Sequence, residues 1–312
     1  MRRVVLLDGG MGQELIHRSR ARPHPLWSAK VLLDEPDLVR SVHLEMIRAG
    51  ARVITVNSYS VTRCRLSTYG MEEDFVRLQH LACDLARQAR EEAGEDVAIA
   101  GCLPPFHGSY RPQDVEPVAD TLPRYREIAE LQADQVDVFI AETMVAGEQG
   151  EGAVRGAMGV GKPIWVAWTV DDQATGLLRN GETLAEATAR LDGLPADAIL
   201  ANCAIPPAID AAVAPLRALA RPWGVYANGF TGIPEAFAQG AGVTVDMLSA
   251  SGDVTVAAYA AMARHWVEQG AAIIGGCCEI GPAHIAAMAE MLRDAGYEIG
   301  KGLAPAAAEV SQ

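Results

Sequence analysis

Basic side chains are scarce in this chain: 26 Lys and Arg stand against 40 Asp and Glu, giving a formal net charge of −14 and a pI near 4.9. No basic face can be traced, which argues against nucleic acid as a partner, because neutralising phosphates takes clustered cations. No stretch reaches the ~18 uninterrupted apolar residues of a membrane span. The opening run Val4-Val5-Leu6-Leu7 is cut off by Asp8 and the following glycines before a signal-peptide core could form. The expectation is a soluble, cytoplasmic protein. Gly10-Met11-Gly12 lacks the third glycine of a dinucleotide loop. Cysteines number six, and in a reducing compartment free thiols are favoured over disulfides.

What is abundant is apolar sequence, at 50% of 312 residues, enough to bury a large core in one domain. Short apolar runs alternate with longer stretches of helical periodicity, the pattern of repeated βα units and a parallel sheet. Eight such runs can be counted: 4–7, 53–56, 97–100, 138–141, 164–168, 198–201, 223–227 and 271–274. Between them lie amphipathic segments such as Pro36 to Ile47, where Leu38, Val42 and Met46 follow helical spacing. Eight units predict an α/β fold closed as a (β/α)8 barrel over residues 1–303, with 304–312 as a frayed tail.

Functional residues of such a barrel sit at the C-terminal ends of its strands. Those positions hold Asp8, Asn57, Cys102, Glu142, Thr169, Asn202 with Cys203, Asn228, and Cys277 with Cys278. Three thiols, Cys203, Cys277 and Cys278, would meet at one rim. Consecutive strand residues point to opposite faces, so Cys277 and Cys278 converge only if the chain turns there, on a loop that enters a helix at Pro282. A vicinal disulfide or plain core packing is the alternative. As soft ligands the three would suit Zn2+ and leave its fourth tetrahedral position open for substrate. Two carboxylates in the same mouth, Asp8 and Glu142, suit an amino-acid substrate with an ammonium group, although either could instead cap a turn or a helix. Cys64 and Cys83 fall in helical stretches and read as inert; Cys102 could approach the metal but reads first as a wall residue. His284 reads as a helix-start residue, and His107 as a loop residue lining a second pocket.

Taken together, these residues resemble the homocysteine S-methyltransferases. The resemblance runs through nearly the whole chain, in Leu7-Asp8-Gly9-Gly10-Met11-Gly12, Leu26-Trp27-Ser28-Ala29-Lys30, His43-Leu44, Arg48-Ala49-Gly50-Ala51, Glu142-Thr143, Asn202-Cys203, Gly275-Gly276-Cys277-Cys278 and Gly281-Pro282-Ala283-His284-Ile285. It implies a (β/α)8 barrel, zinc on the three cysteines, and Asp8 and Glu142 on the amino end of homocysteine, with Thr143 and Asn202 completing the substrate set. Zinc would let the homocysteine thiol bind as its nucleophilic thiolate near neutral pH.

The methyl donor is read from departures. Thr143 stands where the betaine-using branch has an aromatic residue, and aromatic content is only 5%, few faces for a quaternary ammonium. A small sulfonium, S-methylmethionine or S-adenosylmethionine, is therefore expected, with Trp27 and Asn228 as donor contacts. Two other readings stay open: the homocysteine-activating subunit of a split cobalamin-dependent methionine synthase, and a non-catalytic zinc- or homocysteine-binding protein. The sequence leaves self-association open.

Overall fold

The computed structural model describes residues 2–240 and 242–303. The expected tail at 304–312 lies outside the described residues. Eight parallel strands follow one another around a barrel: β1 (Arg3–Leu6), β2 (Val53–Thr55), β3 (Ala98–Leu103), β4 (Val138–Met144), β5 (Ile164–Trp168), β6 (Ala198–Asn202), β7 (Trp223–Tyr226) and β8 (Ile273–Ile274). β8 pairs with β1 through Val5 and Leu6, and Leu7 bridges to Val53, which closes the ring. A ninth strand, β9 (Glu298–Gly300), which the apolar pattern does not announce, pairs with Arg3 to Val5 on the stretch of β1 below that bridge. Among the described residues no helix is long and apolar enough to cross a membrane.

Strand residues divide by parity. Val5 and Leu7, Ala98 and Ala100, Val138 and Ile140, Trp165 and Ala167, and Ala198 and Leu200 fill the barrel interior. Their alternates, among them Ile54, Ile99, Phe139, Val166 and Ile199, pack outward against the helices. Both faces are buried, so the strands read as continuous apolar runs. The helices form where apolar residues recur at helical spacing and where the ends are defined. Pro36–Ala49 starts at a proline and stops at Gly50, whose φ of 119° only glycine adopts readily. Pro282–Asp294 likewise starts at proline, with the His284 ring nitrogen accepting the Gly281 N–H at 3.2 Å, so His284 is the helix-start residue expected.

Parity also selects the mouth. Continuing inward from Ala98 and Ala100 gives Cys102, from Val138 and Ile140 gives Glu142, from Ala198 and Leu200 gives Asn202, and β7 adds Tyr226. β3 and β4 run three residues further than their apolar cores, so Cys102 and Glu142 lie within strands rather than in the loops after them.

Candidate active site

The thiols are fixed by backbone bonds between neighbouring strand exits. Cys203 N–H donates to the Tyr226 carbonyl at 3.1 Å, Cys277 N–H to the Ala227 carbonyl at 2.9 Å, and Gly229 N–H to the Cys278 carbonyl at 2.8 Å. Tyr259, from the helix Val256–Gln269, donates its hydroxyl to the carbonyls of Ala227 and Gly275, pinning both exits from outside. Gly10 explains the glycines after β1. A Cβ there would lie 2.3 Å from the Cys277 carbonyl oxygen, so only glycine lets the first loop pack against the cysteine loop.

Cys203 Sγ lies 2.6 Å from Cys277 Sγ and 4.0 Å from Cys278 Sγ, and all three sulfurs fall within 4.8 Å of one another. A tetrahedral zinc site with Zn–S of about 2.3 Å spaces its sulfurs by about 3.8 Å. The Cys203–Cys278 edge matches that spacing, the Cys203–Cys277 edge is shorter, and the donor set is all sulfur. These residues fit a thiolate-held metal. Donation from Cys277, then Cys278, holds the Cys203 thiol well below its usual range, and the Tyr110 hydroxyl adds a bond at 3.0 Å. The complementary effect pushes Cys277 up.

The carboxyls sit beside them in an inner chamber of about 90 Å³. Asp8 accepts the Thr55 N–H at 2.9 Å, yet burial pushes its carboxyl up to about 8, with the Glu142 charge adding to the rise. Glu142 accepts the Tyr226 hydroxyl at 3.1 Å and the Cys102 thiol at 3.3 Å; burial pushes it up to about 7 despite both donors. Cys102 is thus a wall residue that serves Glu142, and it stands outside the sulfur cluster. Asn202 and Thr143 clamp each other: the Thr143 N–H donates to Asn202 Oδ1 and Asn202 Nδ2 donates to Thr143 Oγ1, both at 3.1 Å. That clamp holds Thr143 at a φ of 59°, where the β4–β5 register breaks. Trp27, Tyr110 and Cys203, which also line the chamber, share this left-handed backbone. Such strain in non-glycine residues persists where the surroundings over-determine it, commonly at functional sites.

A second cavity, an outer cleft of about 600 Å³, joins the chamber along Trp27, Ser109, Tyr110 and Cys278. Trp27 holds its place by donating from Nε1 to Gln13 at 3.2 Å, and Gln13 in turn donates to Glu279 at 2.7 Å. His107 lines the cleft as expected, paired with Glu116 at 2.9 Å. Cys64 in its helix is also part of that wall, whereas Cys83 is buried away from it. Although aromatics are few, Trp27, Tyr69, Tyr110, Phe230 and Phe237 all line this cleft.

Asn228 is the sequence candidate that the structure sets apart from both cavities, with its buried Nδ2 donating to nothing. It is fully buried, lines neither cavity, and accepts the Phe230 N–H within its own loop at 3.1 Å. The inward-facing residue at the end of β7 is Tyr226, two positions earlier, which parity on that strand could have singled out. Tyr110 was missed because it lies in a long loop without periodicity.

A closed parallel barrel whose mouth joins three converged thiols, a donor set that could hold a metal ion, to two buried carboxyls is the frame of a barrel enzyme. Comparison with known proteins narrows the class: residues 5–292 match the homocysteine S-methyltransferase family model, so the chain belongs to that family and is a methyltransferase. It is 30% identical to the homocysteine S-methyltransferase of Escherichia coli strain K12, covering 91% of this chain and 94% of that one. Homocysteine S-methyltransferase 4 of Zea mays is 28% identical over 94% of this chain and 91% of its own. The crystal structure of the homocysteine methyltransferase MmuM from Escherichia coli, in its metallated form, superposes with a TM-score of 0.76 at 29% identity, covering 92% of this chain and 96% of that one.

Proposed function

We propose that this protein transfers a methyl group from a small sulfonium, S-methylmethionine ahead of S-adenosylmethionine, to the sulfur of L-homocysteine, with zinc held by Cys203, Cys277 and Cys278. The observation that carries this reading is the position of the three thiols, where a chamber bearing two carboxyls meets a larger aromatic cleft. Zinc there would supply Lewis acidity that lets the substrate thiol bind as thiolate at neutral pH.

Asp8 and Glu142 would take the substrate ammonium, whose charge favours their ionised forms. Asn202 holds Thr143, and with it the strand end carrying Glu142, in the geometry that presents the carboxyl to the chamber. Trp27 and Tyr110, at the junction of the cavities, offer ring faces to a cationic donor. The sulfonium S–CH3 bond breaks as the new S–CH3 bond forms, the thiol proton having left to solvent, so the donor departs as a neutral thioether. In-line placement across the junction would then supply much of the rate. Thr143 alone disfavours betaine, since the cleft gathers enough aromatic faces for either cation.

The test is a donor panel with zinc-loaded protein and homocysteine, read by mass spectrometry. Methionine formed from S-methylmethionine fastest, from S-adenosylmethionine more slowly and from betaine poorly supports the reading. Turnover only with a methylated corrinoid protein would replace it with the split methionine synthase.

A further inference from the structure

The wall of the outer cleft holds a cation, Arg65, that takes no part in the site described above. Arg65 lies in the short helix Arg63–Ser67, whose start is capped by the Thr62 hydroxyl accepting the Arg65 N–H at 3.3 Å. The other arginines around the cleft are paired: Arg63 with Glu127 at 2.6 Å, Arg124 with Glu116 at 2.8 Å, Arg111 with Asp114, and Arg179 with Asp172 at 3.0 Å. Among the described residues Arg65 has no carboxylate partner. Its one side-chain hydrogen bond runs from Nη1 to Ser60 Oγ at 3.1 Å, and its guanidinium lies 5.3 Å from the Tyr59 ring centroid. Nε is buried and donates to nothing.

A buried guanidinium donor left without an acceptor is unfavourable, and because Arg65 is only half-buried its fork stays within reach of the outer cleft. Its planar fork matches a carboxylate, which accepts two parallel N–H bonds. Arg65 borders the outer cleft but not the inner chamber; Tyr59, hydrogen-bonded to Ser109 at 2.8 Å, lines that chamber instead. An anion meeting that fork would approach from the outer cleft rather than from the chamber.

We infer that Arg65 recognises a carboxylate on the methyl donor, so that the cleft selects an amino-acid sulfonium over a sulfonium lacking the acid group. This rests on the sulfonium reading above, and the experiment separates the two. Zinc-loaded wild type, Arg65→Gln and Arg65→Lys are titrated calorimetrically with S-methylmethionine in the absence of homocysteine. Each is then assayed with S-methylmethionine and with its decarboxylated analogue, 3-aminopropyl-dimethylsulfonium.

Arg65→Gln should weaken S-methylmethionine binding about 10- to 100-fold, the range for a lost charge-assisted bond. Homocysteine KM and zinc content should not change. The analogue should be poor with wild type and lose nothing further in the variant, and Arg65→Lys should recover part of the affinity as a point charge. The melting temperature of Arg65→Gln should be no lower than that of wild type, because the cation removed has no anionic partner. Undiminished donor affinity in the folded variant, or a loss falling on homocysteine or equally on both sulfoniums, overturns the inference. If wild type uses no sulfonium at all, the proposed function fails and this inference falls with it.

Discussion

Replacing Asp8 by Asn separates what this buried carboxyl does for binding from what it does to stability. The substitution keeps the shape, and the amide oxygen can still accept the Thr55 N–H that Asp8 accepts at 2.9 Å. With its carboxyl pushed up to about 8 by burial, the folded chain retains a proton that the unfolded chain releases near pH 4. The sign follows: stability is greatest below the unfolded value and falls as pH rises from about 4 to about 8. At about 1.4 kcal/mol per unit the ceiling on that loss is about 6 kcal/mol. Coupling to Glu142 and water entering the chamber reduce it to an expected ~2–4 kcal/mol. Asp8→Asn should therefore come closest to wild type near pH 4 and exceed it by ~2–4 kcal/mol at pH 8.5 in urea unfolding. Calorimetric titration at pH 8 should show homocysteine affinity down about 10- to 100-fold, as one charged partner of the ammonium is gone. A variant equally destabilised at both pH values, or binding homocysteine as wild type does, would refute the reasoning.

Asn202→Ala removes both bonds of its clamp with Thr143 and leaves a strained backbone unsupported. A stability loss of ~2–3 kcal/mol by denaturant titration and a raised homocysteine KM are expected, and unchanged values would show the clamp to be idle. Tyr226→Phe removes a hydroxyl that holds the Glu142 carboxyl down, so Glu142 should ionise at higher pH still. The pH at which homocysteine KM improves should move up by up to about one unit in steady-state assays, and an unmoved profile would disconnect Glu142 from the ammonium.

Much of the barrel was legible because parallel strands buried on both faces leave compact apolar runs between amphipathic helices. β8 is only Ile273–Ile274, since the chain turns early to aim its cysteines, and β9 is half exposed and therefore carries no apolar signature. The thiol triad was readable from strand ends, and parity along β4 and β6 gives Glu142 and Asn202 directly. The same parity applied to β7 yields Tyr226, whereas reading from the strand's last apolar residue leads to Asn228. Tyr110 and Arg65 carry no such signal. Tyr110 reaches Cys203 across 93 residues of sequence, and Arg65 stands out only once its neighbours are seen to be paired.

On the proposed reading, Cys203, Cys277 and Cys278 together hold a metal whose open position accepts the substrate thiol. X-ray absorption at the zinc edge, on protein whose metal content has been measured, tests it most directly. One zinc per chain is expected, with three sulfur ligands and one light atom, changing to four sulfurs when homocysteine is added. A shell with fewer than three sulfurs, or one that homocysteine leaves unchanged, would contradict it.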